Sequence, residues 1–330
     1  MFYFMIGIGL IFAYINGMHD GGTVVATTIS SRLISARKAV SIAGIANFLG
    51  AIALGTAVAY TISENIIDVS PILAGSKDLC YTFVAASFVG SLVWNVFTWI
   101  VKLPSSASHS MIGSMIGCGI AAYGLPYIQW DSIMIKVILA MLISPVIGFL
   151  MGFLFLKLQN RLLKNATIRW SKRIMILHKL SSFFLAFSYG SNDSQKVMGL
   201  IAIGLAGHYG TSIEIPLWLI FAAAAALSIG TMTGGYNMIK TVGMDICKID
   251  IQNSFSSQMA TISVITVANL TGLPISATQV ITSSVMGVGT GNTPKSVNWN
   301  VTKKIILAWL ITIPASAAIG ALVFYGMQFI

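Results

Sequence analysis

Lys136-Val-Ile-Leu-Ala-Met-Leu-Ile-Ser144 and Lys304-Ile-Ile-Leu-Ala-Trp-Leu-Ile-Thr312 are near copies of each other, 168 residues apart. They belong to long apolar runs, Lys136–Leu156 and Ile305–Phe324. Roughly 20 such residues in helical form cross the ~30 Å of hydrocarbon in a bilayer. Ala39–Tyr60 and Leu217–Met232 read the same way. A backbone in lipid must satisfy its own hydrogen bonds, so these runs predict an all-α polytopic membrane protein. The short alternating segments of a β-barrel are not visible. Composition agrees. Only 8% of the 330 residues are charged and 56% are hydrophobic, with a mean hydropathy of +0.86, whereas about a quarter of a soluble chain is charged.

Phe2–Ile15 lacks the basic n-region and small-residue cleavage site of a signal peptide and runs into a polar motif, so it is read as part of the bundle. Cys80, Cys118 and Cys247 have neither metal nor redox spacing and read as small packed residues. The net charge of +10 does not point to nucleic acid, because its basic residues sit between apolar runs. Lys157, Arg161, Lys164, Arg169, Lys172, Arg173 and Lys179 cluster in one connection and Arg32, Arg37 and Lys38 in another, as the positive-inside rule produces.

Two further matches keep the order and nearly the spacing of the first. Ala13-Tyr-Ile-Asn-Gly-Met-His-Asp20 resembles Ala186-Phe-Ser-Tyr-Gly-Ser-Asn-Asp193, and Leu103-Pro-Ser-Ser-Ala-Ser108 resembles Leu273-Pro-Ile-Ser-Ala-Thr278. The chain therefore divides into a first repeat at 1–160, a basic cytoplasmic linker at 161–175 and a second repeat at 176–330. The basic clusters belong in the cytoplasm, while Glu64, Asp68 and Asp78 mark an external connection. An odd number of crossings must then separate 78 from 157. This holds if the pair of helices around Pro104 is a re-entrant hairpin, and the matching hairpin around Pro274 would enter from the opposite side. The expected architecture is two inverted-topology repeats with both termini extracellular.

Each repeat carries one polar interruption of an apolar run, Asn16-Gly-Met-His-Asp-Gly-Gly22 and Tyr189-Gly-Ser-Asn-Asp-Ser-Gln-Lys196. Their glycines predict a broken, locally unwound helix facing a cavity. A carboxylate at mid-membrane is costly and marks function. Asp20 and Asp193, with Asn16 and Asn192, form a candidate cation-coupling set, for Na⁺ held by the two carboxylates or for a proton. The hairpin tips supply the opposite chemistry, since helix N-termini present free N–H groups and a positive dipole end. Ser105, Ser106, Ser108, Ser276 and Thr278, with Asn192 and Lys196, would bind a tetrahedral oxyanion. His19, His109 and Gln279 are further candidates. Lys102 faces the anion cavity if it lies at a hairpin tip and the cytoplasmic interface if it ends a full crossing. Trp94, Trp99 and Trp309 read as packing or belt residues.

At these residues the sequence resembles the inorganic phosphate transporter family, of Pit-type phosphate permeases. The family's two Gly-Ala-Asn-Asp-type signatures read here Gly-Met-His-Asp (17–20) and Gly-Ser-Asn-Asp (190–193). Its two Pro-x-Ser hairpins read Pro-Ser-Ser-Ala-Ser-His (104–109) and Pro-Ile-Ser-Ala-Thr-Gln (274–279), and Gln195-Lys196-Val-Met-Gly199 matches a run that follows the second signature. The resemblance implies secondary active symport of inorganic phosphate with Na⁺ or H⁺, or of a metal–phosphate complex as in some bacterial members, with no cofactor, a homodimer, and a prokaryotic cell membrane. Ala277 and Gln279 depart from the family's usual hydroxyl and histidine, which keeps a sulfate or other oxyanion permease as the alternative. Gly21-Gly22-Thr23 replaces a run that usually contains an asparagine. An enzyme is not expected, since no hydrolase or metallopeptidase motif accompanies Ser108 and His109. A channel fits paired midplane acids less well than alternating access does.

Overall fold

The computed structural model of the chain describes residues 1–101, 105–166 and 168–329, and among them no strand forms beyond a single Ile67–Ile128 bridge. The helices run α1 (Phe2–Ser30), α2 (Ala36–Ala53), α3 (Ala57–Glu64), α4 (Ser70–Ala74), α5 (Lys77–Ile100), α6 (Ala107–Tyr123) and α7 (Trp130–Ser132). A π-helical stretch, Ile133–Leu139, joins α7 to α8 (Ala140–Leu162). There follow α9 (Ile168–Tyr209), α10 (Leu217–Thr233), α11 (Tyr236–Lys240), α12 (Ile251–Thr271), α13 (Ala277–Asn292) and α14 (Trp299–Met327). Local chemistry sets several of their ends. Asp250 accepts from the Asn253 N–H at 2.7 Å and starts α12, while Gly272, at φ 68°, ends it in the left-handed conformation.

Five of these stretches are long and apolar enough to cross a membrane: α1, α2, α5, Trp130–Leu162 and α14. A bent pair, Leu217–Thr233 with Met238–Asp245, turns through 72°. Along α8 the side chains of Leu142, Val146, Leu150 and Leu154 are all at least half exposed. Their four-residue spacing makes one apolar stripe, which lipid covers and water would not. The run Ala39–Tyr60, expected as one crossing, is split. α2 stops at Ala53, and Gly55, at φ 76°, turns the chain before α3 begins.

The apolar core has two parts. One gathers Phe12, Phe83, Phe88, Met111 and Ile201; the other gathers Val24, Ala43, Tyr189, Ile265 and Val285. α1 runs from the first part into the second, and α9 runs from the second into the first. The polar segments of both helices lie at that junction. α6 leaves the junction into the first part, and α13 leaves it into the second.

The expected helix breaks are not present. α1 is helical through Asn16–Gly22, and α9, 42 residues long, is helical through Tyr189–Lys196. The physical reason lies in the glycines, which are contact surfaces rather than hinges. A Cβ on Gly17 would stand 2.0 Å from the Leu227 carbonyl oxygen of α10, and one on Gly230 the same distance from that of Tyr14. α2 and α9 meet likewise, a Cβ on Gly50 falling 1.9 Å from the Phe187 oxygen and one on Gly190 2.3 Å from that of Asn47. Small residues let membrane helices approach backbone to backbone. α14 packs on α6 and α8 on α13 in the same manner, through Gly117 against Ala317 and Gly287 against Phe149. Lys102, Leu103 and Pro104 of the expected first hairpin lie outside the described residues.

Candidate functional site

Apart from Lys102, each polar residue singled out in the two signatures and two tips is buried where α1, α9 and the starts of α6 and α13 meet. None of Asn16, His19, Asp20, Ser105, Ser106, Ser108, His109, Asn192, Asp193, Lys196, Ser276, Thr278 and Gln279 is more than 4% exposed. Continuous helices bring them there. Asn16 and Asp20 are one turn apart on α1, and so are Asn192 and Lys196 on α9, so each pair shares one face.

Hydrogen bonds link the four elements. Asp20 Oδ1 is 2.6 Å from His19 Nδ1, and its Oδ2 accepts from the Thr278 hydroxyl at 2.9 Å. Asp193 Oδ1 accepts from Lys196 Nζ at 2.5 Å, and its Oδ2 faces the Asn16 amide at 3.4 Å. The same ammonium donates to Ser108 Oγ at 2.5 Å and to the Ile275 carbonyl at 2.8 Å. One buried cation thus touches α9, the start of α6 and the chain entering α13. Asn192 donates to Asn269 Oδ1 at 2.6 Å.

The hydroxyls divide into two groups. Ser106 and Ser276 are N-caps, accepting from the N–H groups of His109 and Gln279 at 3.2 Å each. Ser105 pairs with Thr98 at 2.7 Å. Ser108 and Thr278, two residues into each helix, turn to the charged cluster instead. Alanine at either cap should lower stability by about 1 kcal/mol, read as a drop of a few degrees in Tm. An unchanged Tm for both variants would remove the capping role.

Several buried atoms at this junction have no hydrogen-bond partner among the described residues: His109 Nδ1, both amide atoms of Gln279, His19 Nε2, Asn16 Oδ1 and Asn192 Oδ1. Buried polar atoms usually have partners, so these six are available to a bound ligand. Donors and acceptors are both present, and the two helix N-termini leave the junction in opposite directions. The arrangement can hold an anion between helix starts with a cation beside the carboxylates.

Two participants escaped the sequence reading. Asn269 holds Asn192 and donates to the Ser188 carbonyl at 3.0 Å. Gln258 lies in a second polar cluster, donating to Thr27, Thr28 and Ser182 at 3.2, 2.9 and 3.1 Å. The available signal was the amides themselves, in a helix rich in serine and threonine, since a buried amide in a membrane needs a partner.

Comparison with known proteins gives a consistent picture. A family model described as the phosphate transporter family matches residues 16–320. A relative from Bacillus subtilis, described as a "probable low-affinity inorganic phosphate transporter", is 35% identical over 97% of this chain and 95% of its own length. A relative from Rhizobium meliloti with the same description is 31% identical over 99% of this chain and 96% of its own. A solved structure, "the sodium-dependent phosphate transporter", superposes with a TM-score of 0.90 at 24% identity, covering 100% of this chain and 99% of that one. At that identity the likeness speaks for the fold.

Proposed function

The chain belongs to the phosphate transporter family, and from that premise we propose that it carries inorganic phosphate across the cell membrane as a cation-coupled symporter working by alternating access. The observation that carries the reading is the buried junction of two helix N-termini with two carboxylates and one ammonium. Phosphate would sit between the starts of α6 and α13, received by backbone N–H groups, by Ser108 and Thr278, and by the partnerless ring nitrogen of His109 and amide nitrogen of Gln279, with Asn192 beside them. Ser105, Ser106 and Ser276 shape the tips from behind. The coupling ion, Na⁺ or H⁺, enters at Asp20, where the carboxylate, the Thr278 hydroxyl and the free Asn16 carbonyl oxygen suit a hard cation.

Two inverted repeats with re-entrant hairpins, residues 1–160 and 176–330 about the basic linker, are part of this proposal. The opposite senses of α1 and α9 support it. So do the crosswise contacts: Asp20 of the first half bonds Thr278 of the second, and Lys196 of the second bonds Ser108 of the first. Relative movement of the halves must then rearrange the site, which is what coupling requires. Assembly as a homodimer and extracellular termini complete the reading.

Reconstituted liposomes test it. Phosphate uptake should saturate, follow an imposed Na⁺ or proton gradient at fixed internal pH, and be competed by arsenate but not by sulfate. Effective sulfate competition would move the substrate to the sulfate reading, and an ohmic current would replace the transporter with a channel.

A further inference from the structure

Lys196 is the one buried lysine or arginine among the described residues, at 2% exposure. Its ammonium has three oxygen partners of three kinds: a carboxylate, Asp193 Oδ1; a hydroxyl, Ser108 Oγ; and a main-chain carbonyl, Ile275 O. They lie at 2.5, 2.5 and 2.8 Å and come from three separate elements of the fold. A carboxylate, a hydroxyl and a carbonyl converging in a buried place form the donor set of a small hard cation. An ammonium with three N–H donors satisfies the same set with one positive charge.

Asp20 sits differently. Its oxygens meet His19 Nδ1 and the Thr278 hydroxyl, and among the described residues no lysine or arginine pairs with it. The two carboxylates are therefore not equivalent, although the motifs that carry them match.

We infer that the Lys196 ammonium is a tethered cation that fills the position at Asp193, so that Asp20 is the chain's single exchangeable cation site. The inference rests on the cation-coupled reading above and sharpens it to a coupling number. Among the described residues, two carboxylates and one ammonium leave the cluster with one negative charge in excess, apart from its histidines. An oxyanion entering that cluster is repelled, and one further cation removes that excess before the oxyanion adds its own charge. The lysine adds the fixed positive charge that a second bound ion would bring, without an ion that must be released in each cycle.

The test uses the purified full chain in detergent, with NaCl compared against choline chloride at equal ionic strength. Lys196→Ala should empty the Asp193 position. The variant should then gain a Na⁺-dependent rise of a few degrees in Tm. That rise should persist when Asp20→Asn is added and vanish when Asp193→Asn is added. A folded Lys196→Ala protein whose Tm shows no Asp193-dependent response to Na⁺ overturns the inference. A second measurement needs no variant. Radioactive Na⁺ bound to the wild-type chain should reach no more than one ion per chain at saturation, and two ions per chain overturn the inference even if every Lys196 variant misfolds. Neither readout involves phosphate, so a chain that fails to take up phosphate would count against the transport reading and leave the Na⁺ result to be judged separately.

Discussion

Asp20→Asn should lower phosphate uptake in liposomes at least about 100-fold while leaving the protein folded and its Tm within a few degrees of wild type. The substitution removes the negative charge that recruits the coupling ion but keeps the size and a side-chain oxygen that can still accept from Thr278, 2.9 Å away. No lysine or arginine among the described residues is stranded, because the neighbours of Asp20 are His19 Nδ1 at 2.6 Å and the Thr278 hydroxyl. Asp193→Asn should behave otherwise. It leaves the Lys196 ammonium buried without its carboxylate, and breaking a buried pair from one side costs about 3–5 kcal/mol. That variant should accumulate poorly and melt well below wild type, and Asp193→Asn with Lys196→Met should recover much of the lost stability without recovering transport. Wild-type uptake by Asp20→Asn would sink the cation-site assignment. Equal Tm values for the two single asparagine variants would sink the distinction drawn between the carboxylates.

Gly17→Val should be as damaging, by a route that involves no chemistry at the site. The first carbon added to Gly17 would stand 2.0 Å from the Leu227 carbonyl oxygen, which is backbone and cannot swing aside. α1 and α10 must part, and the reciprocal contact of Gly230 with Tyr14 is lost with them. Overpacking of this kind costs about 3 kcal/mol or more, and the polar partners on α1 shift with the backbone. Little folded protein should be recoverable from the membrane. Gly7→Ala and Gly326→Ala supply the contrast, since nothing lies within 4 Å of a Cβ at either position. Their Tm should match wild type. A Gly17→Val protein that melts with the wild type would show that the close approach carries no energy.

The membrane class was legible in the apolar runs because a helix facing lipid has no other way to be solvated. The meeting of both signatures with both tips was legible too, since buried polar residues in an apolar chain must find one another. Helix continuity at Asn16–Gly22 was not. A glycine in a membrane helix serves as a hinge or as a flat contact, and which one applies depends on the opposing helix. For Gly17 that helix carries Leu227, and for Gly190 it carries Asn47. Nothing local to the signature encodes either partner. The pairing of Lys196 with Asp193, three residues away, was within reach of the sequence, while its contacts with Ser108 and Ile275 come from distant parts of the chain and were not.

The Gln258 cluster bears on how such a chain is made. Thr27 and Thr28 near the end of α1 receive their amide partner from α12, 230 residues later in the case of Thr28. At about 5–20 residues per second a ribosome needs on the order of ten to fifty seconds to produce it. α12 buries Asn253, Ser254, Ser256, Ser257, Gln258, Thr261 and Asn269, and it is not among the helices apolar enough to enter a bilayer unaided. Thr28 finds Ser182 of α9 first, 154 residues on, and the Gln258 amide joins the cluster only as the last third of the chain arrives. Assembly order is thus written into which helix holds the amide and which hold the hydroxyls.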